Sequence, residues 1–259
     1  MTTNARTAAR NAADSPWFER AARAGFVASG VLHLLLAWIV LRLAFGGGGS
    51  ADQSGALATL GSQTGGAVML WLAAFGLAAL GLWHLVEAFT EDDTKDRVKA
   101  AAVGIVNLAL AFSAARFATG SGQSSGQQNA GLSAQLMQSG WGKAVLVVVA
   151  LVLLGVGGYH VYKGVTKRFE KELTRRRGPV VTPAGVIGYT AKGLVLAGAG
   201  ILVLVATFTS DPAKASGIDA AVKTLGAAPF GRILLVLAAL GIAAYGVFSI
   251  IRSRHADMS

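Results

Sequence analysis

The chain alternates long stretches without charge and short polar ones, and six of the apolar stretches reach membrane-spanning length. The clearest, residues 66–89 (GAVMLWLAAFGLAALGLWHLVEAF), carries one acidic residue, Glu87, near its end. About 20 consecutive apolar or small residues make a helix that crosses a ~30 Å hydrocarbon core. The other expected spans cover about residues 24–45, 98–119, 143–165, 184–208 and 230–251, and all five prolines fall at or outside span ends. Ser15 and Pro16 read as an N-cap and first turn. Trp17 and Phe18 suit the membrane interface. The connection GGGGSADQSGALATLGSQTG predicts a short helical turn near residues 56–60, and the Gly/Ser/Gln stretch through Gln138 reads as a mobile linker. KGVTKRFEKELTRRRG predicts that span 4 runs on into water, since Glu170 and Glu172 fall within a turn of its basic residues.

The spans repeat. Laid without gaps on segments beginning at Gly142 and Gly231, the 66–89 segment aligns Gly66, Gly142 and Gly231, then Gly81, Gly157 and Gly246, then the aromatics Trp83, Tyr159 and Phe248. The odd-numbered spans repeat as well. Gly25 pairs with Gly188, Phe26 with Tyr189 and Gly30 with Gly193, while span 3 keeps Gly104 but has Lys99 at the first glycine. Each unit is a two-span hairpin, over residues 24–93, 97–173 and 182–253, behind an N-terminal tail of residues 1–23. An even number of spans per unit keeps the copies parallel, which places their symmetry axis along the membrane normal. The expected fold is therefore an all-α membrane protein: six transmembrane helices as three parallel two-helix repeats with pseudo-threefold symmetry.

Composition agrees: 259 residues, 53% hydrophobic and 14% charged, where a soluble domain carries about 25% charge. The net charge of +10 is informative by position. Sixteen Lys and Arg fall in the N-terminal tail, the 2–3 and 4–5 connections and the C-terminal tail, against six on the opposite side. The positive-inside rule then places both termini in the cytoplasm, with the basic face toward anionic headgroups. The run Arg175, Arg176 and Arg177 lacks the interleaved aromatics that nucleic-acid binding uses, so no nucleic-acid partner is expected. With no cysteine, disulfides and thiolate chemistry are excluded.

This arrangement resembles a family of bacterial membrane proteins, common in actinobacteria, catalogued as a domain of unknown function and built from three tandem two-helix transmembrane repeats. The resemblance rests on Gly25-Phe-Val-Ala-Ser-Gly30 and Gly188-Tyr-Thr-Ala-Lys-Gly193, and on Leu80-Gly-Leu-Trp83 and Tyr245-Gly-Val-Phe248. It implies a fold and a place in the bacterial plasma membrane, and no catalytic residues.

Candidate chemistry is sparse. Polar residues at membrane depth form one candidate cluster: His33, His84, Glu87, Asn107 and His160, with His84 and His160 repeat-equivalent, as are His33 and Asn107. Trp83 and Tyr159 are expected to face outward and the two histidines inward, toward Glu87 or Asn107. Paired histidines can ligate haem, but two alone are a weak signal and no cofactor or metal is expected. Lys192 is expected to snorkel from span 5 to the cytoplasmic face. The helix-packing candidates are Gly30, Gly81, Gly104, Gly157, Gly193 and Gly246. Glycines five apart point about 140° apart, so one helix could meet two neighbours closely. With no HExxH, GxSxG or nucleotide-binding loop, the expected role is non-enzymatic: an envelope scaffold associating with lipids or other envelope membrane proteins. The alternative is a small transporter or channel with a pathway along the pseudo-threefold axis.

Overall fold

The computed structural model describes residues 16–173 and 179–255. The Ser15 cap, the Trp17 and Phe18 side chains and Arg175, Arg176 and Arg177 lie outside the described residues and side chains. Among those described, the fold is all-helical. Six helices are long and apolar enough to cross a membrane: α1 (Pro16–Ala44), α3 (Gly66–Thr90), α4 (Thr94–Ala118), α6 (Gly140–Val165), α7 (Val181–Thr209) and α9 (Gly231–His255). Three shorter helices lie in the connections between spans: α2 (Gln53–Gly61), α5 (Ser125–Met137) and α8 (Ile218–Ala227).

Two sequence expectations are corrected here. The Gly/Ser/Gln linker is the helix α5: Ser124 caps it, and Gly126, Ser133 and Met137 are buried. Small residues let it lie close to its neighbours without a strong apolar stripe, so composition alone mistook it for a flexible linker. Helix α6 does not run on into water. It stops at Val165, Lys167 takes the left-handed conformation (φ 56°), and a 3-10 turn, Arg168–Glu172, folds back. Phe169 is the reason, because its ring is fully buried against Tyr189 and Phe248. The gain from burying a Phe exceeds the small gain from exposed Glu–Lys pairs along a continued helix.

The chain divides into two compact units. Of the described residues, unit 1 holds 16–31, 60–122 and 249–255, and so contains α3, α4, the start of α1 and the end of α9. In it α3 and α4 pack closely, after a short turn that Asp93 ends by accepting hydrogen bonds from Lys95 N and Asp96 N. A Cβ on Gly81 would lie 2.9 Å from Leu108 and 3.0 Å from Gly104 O, while one on Gly76 would meet Ala24 and Gly25 of α1 at 3.1 Å. These two glycines, five apart, face different helices. The end of α9 docks on α1: Ser249 Oγ donates to Phe26 O (3.0 Å), Arg252 lies over the Phe26 ring (4.7 Å), and Arg23 donates to Ser253 O (2.8 Å).

Of the described residues, unit 2 holds 32–59, 123–173 and 179–248. Helices α6 and α7 meet through Gly157 and Gly193, where a Cβ on either would lie 2.5–2.7 Å from the other's carbonyl oxygen. On α7, Gly193 faces α6 while Gly188 faces Tyr245 of α9, again two neighbours for glycines five apart. The later part of α1 packs Leu36, Ala37 and Val40 against Leu235, Ala239 and Ile242 of α9. The three short helices interlock at their N-terminal ends. Ser125 N donates to Ser54 Oγ (3.0 Å), and Ala51 N to Asp219 Oδ1 (2.7 Å). Each odd span after the first thus packs on the even span before it, and α1 packs on α9.

Candidate functional site

The five polar candidates do not form one cluster. In unit 1, His84 is buried and its Nδ1 lies 2.9 Å from Glu87 Oε2, one turn along α3. Asn107 donates to the Val103 carbonyl of its own helix (2.9 Å), which satisfies its amide locally. In unit 2, His160 Nδ1 pairs with Val156 O (2.8 Å), also on its own helix, and the ring lies 5.8 Å from Tyr189. His33 packs on Tyr245, ring centroids 4.7 Å apart. Helical backbone carbonyls one turn away are the nearest partners for polar groups in hydrocarbon, and three of these residues are occupied by groups on their own helix. Trp83 packs beside Phe26 and Leu80, half-buried, while Tyr159 is exposed. All six candidate packing glycines, Gly30 and Gly246 included, are buried.

The side chains that do converge were read from sequence as repeat-equivalent aromatics, separate polar candidates and a snorkelling lysine, and not as one site. Tyr189 touches Tyr245 (5.3 Å), Phe248 (5.5 Å), Phe169 (5.5 Å) and His160, so aromatic rings run without a break from His33 to His160 through Tyr245 and Tyr189. Two lysines from different helices enter this core. Lys163 is buried over Tyr189 at 4.6 Å, with its Nζ 2.6 Å from Glu172 Oε1. Lys192 lies over Tyr245 at 4.1 Å. The expected snorkelling of Lys192 to the cytoplasmic face is corrected. Helix α7 begins at Val181, so Lys192 sits about 16 Å along it, and a stacked aromatic face attracts the ammonium.

Beside Lys192 is a cavity of about 40 Å³, lined also by His33, Gln53, Ile218 and Tyr245. That is room for about three water-sized spheres. Gln53 and Ile218 are the first residues of α2 and α8, so two helix N-termini border it. Among the described residues, no three His, Asp or Glu side chains come together as a metal site.

The family described as Domain of Unknown Function (DUF1206) matches the chain three times in tandem, over residues 24–91, 98–167 and 187–256. The chain belongs to the DUF1206 family. It is 25% identical to the uncharacterized protein YxxB of Bacillus subtilis (strain 168), over 94% of this chain and 93% of that protein. No solved structure matches it. Each DUF1206 segment carries two long helices with a short one between them.

The DUF1206 copies also explain a signal that could have exposed the site. Lys163 and Arg252 occupy equivalent positions, and each lies over an aromatic, Tyr189 or Phe26, that is itself repeat-equivalent. Where Glu87 replaces the cation, the corresponding position on α4 is Ala100, and Glu87 turns to His84 instead. Cation and aromatic are lost together, as expected if each is placed by the other.

Proposed function

We propose that the protein is a non-enzymatic integral protein of the bacterial plasma membrane, both termini cytoplasmic, that scaffolds other envelope membrane proteins and contacts anionic headgroups at its basic cytoplasmic face. One observation carries this reading: the two long helices of the middle copy leave the widest apolar faces uncovered. Only 28% of the most apolar window of α4 and 17% of that of α6 is buried, against 33–44% in the other four spans. On α6 the uncovered face includes Val148, Leu151 and Val152. A partner helix gains dispersion contacts along such a face, and Gly155 and Gly158, with nothing within 4 Å of a built Cβ, would let its backbone come close. The recurrent glycine contacts of α3 with α4 and of α6 with α7 support the pseudo-threefold relation of the copies that belongs to this reading.

A photo-crosslinking residue at Leu151, activated in native membranes, tests it. Discrete protein adducts are expected; adducts with lipid alone would overturn the scaffold. The purified protein is expected to show no Soret absorbance, and a band abolished by His84→Ala with His160→Ala would identify a haem protein instead. The second reading, a small transporter or channel, is favoured by one observation, the lysine at mid-helix beside a small cavity.

A further inference from the structure

A buried carboxylate needs partners for both of its oxygens, because water no longer solvates its charge. Asp52, the residue before α2, is only 4% exposed. Its Oδ1 accepts from Ser54 Oγ (2.6 Å) and Gly55 N (2.9 Å), and so caps the start of that helix. Its Oδ2 is buried and has no hydrogen-bond partner. Among the described residues, no Lys, Arg or His lies within ion-pairing distance of Asp52. Asp219, the other buried acid at the short helices, differs: Lys223 Nζ lies 2.7 Å from its Oδ2. Lys192, which shares a cavity with Gln53, holds its ammonium over Tyr245.

Oδ2 borders a gap beside Gly126, a buried glycine in the first turn of α5. A Cβ on Gly126 would lie 3.7 Å from Asp52 Oδ2, 3.7 Å from Ser124 Oγ and 3.6 Å from Ser216 Cβ. All three are ordinary contact distances, so the gap takes a methyl group without displacing its walls. Ser124 Oγ accepts from Gln127 N at 3.5 Å, the limit of a hydrogen bond, which leaves lone pairs for a ligand. Ser216 follows the 3-10 turn Pro212–Ala215 and brings a hydroxyl to the gap by rotation about χ1. Ser125 N, at the start of α5, donates to Ser54 Oγ (3.0 Å) and so does not compete for Oδ2.

We propose that this gap binds a monovalent alkali cation, held by Asp52 Oδ2 together with the hydroxyl oxygens of Ser124 and Ser216. Charge decides the class. One carboxylate without a counter-charge, among otherwise neutral oxygen ligands, balances a single positive charge. Calcium takes about six to eight oxygens, usually from several carboxylates, and Asp219 is already paired to Lys223. The three ligands come from the three family copies, one from each, so the bound cation ties α2 and α5 to the turn before α8. The site is independent of the scaffold reading, since it lies in the connections and not on the uncovered faces of α4 and α6.

The test is thermal unfolding of the full chain in detergent, titrating sodium or potassium chloride against N-methylglucamine chloride at constant ionic strength. Above the dissociation constant, each tenfold rise in the bound cation should raise the wild-type melting temperature by about 3–6 °C. Asp52→Asn keeps a capping side chain and removes the charge, so it should lose that slope. Gly126→Ala fills the gap with a methyl group that meets only ordinary contacts, so it should fold and also lose the slope. Asp93→Asn, at an exposed helix cap in unit 1, should keep it. No slope with either alkali cation in the wild type, or an unchanged slope in Asp52→Asn or Gly126→Ala, overturns the proposal. Stabilisation by calcium or magnesium alone overturns it too. Should Asp52→Asn fail to fold, Gly126→Ala decides the matter by itself.

Discussion

Gly157 and Gly158 stand side by side on α6 and separate two effects that are usually mixed. A Cβ on Gly157 would lie 2.7 Å from Ala197 N and from Gly193 O, both main chain, whereas one on Gly158 meets nothing within 4 Å. Ordinary contact begins at 3.4 Å, so Gly157→Ala requires α6 and α7 to part locally by about 0.7 Å. No rotamer change can relieve a clash with backbone. Both Ala variants gain the same helix propensity, about 0.5–1 kcal/mol, so that contribution cancels in the comparison. What remains is overpacking, about 1–3 kcal/mol against Gly157→Ala. At about 2–4 °C per kcal/mol for a chain of this size, its melting temperature in detergent should fall about 2–12 °C below that of Gly158→Ala. Adding Gly193→Ala should cost less than it does alone, because the helices have already separated. Equal melting temperatures for Gly157→Ala and Gly158→Ala would refute the close approach of the two backbones.

Phe169→Ala removes a fully buried ring from the Tyr189–Phe248 contact and should cost about 3–5 kcal/mol, read as a lower melting temperature; no change would mean the 3-10 turn is not docked. Asp219→Ala leaves Ala51 N and Lys223 without their acceptor and should cost about 1.5–3 kcal/mol, with faster proteolysis in the residues 46–52 connection. Unaltered proteolysis would show that this bond does not hold the connection. For topology, Gln127→Cys should react with an impermeant maleimide in intact cells and Lys171→Cys only after lysis, both positions being exposed. The opposite pattern would invert the orientation.

The six spans were legible because hydrocarbon thickness acts on every helix alone, through length and the absence of charge. The glycines were legible as a spacing, and the geometry of five residues on a helix already implied two facing directions. Which helix each glycine meets was not. Gly81 meets α4 and Gly157 meets α7, the next copy in each case, because the even spans lie against the copy that follows them. The polar candidates were legible as residues and misleading as a cluster. Asn107 and His160 find carbonyls four residues back on their own helices, a partner always present in a helix and never visible as a motif.

By itself, then, the sequence determined the helices, their number and their repetition, since these follow from local hydrophobicity and backbone hydrogen bonding. Tertiary structure decided where the charges go. Lys192 turns into the bundle because Tyr245, 53 residues further along the chain, presents its ring 4.1 Å away, and Phe169 ends α6 because Tyr189 and Phe248 bury it. Composition could not disclose the linker as helix α5 either, since its small buried residues carry little hydrophobic signal and gain their packing only when neighbouring elements enclose them.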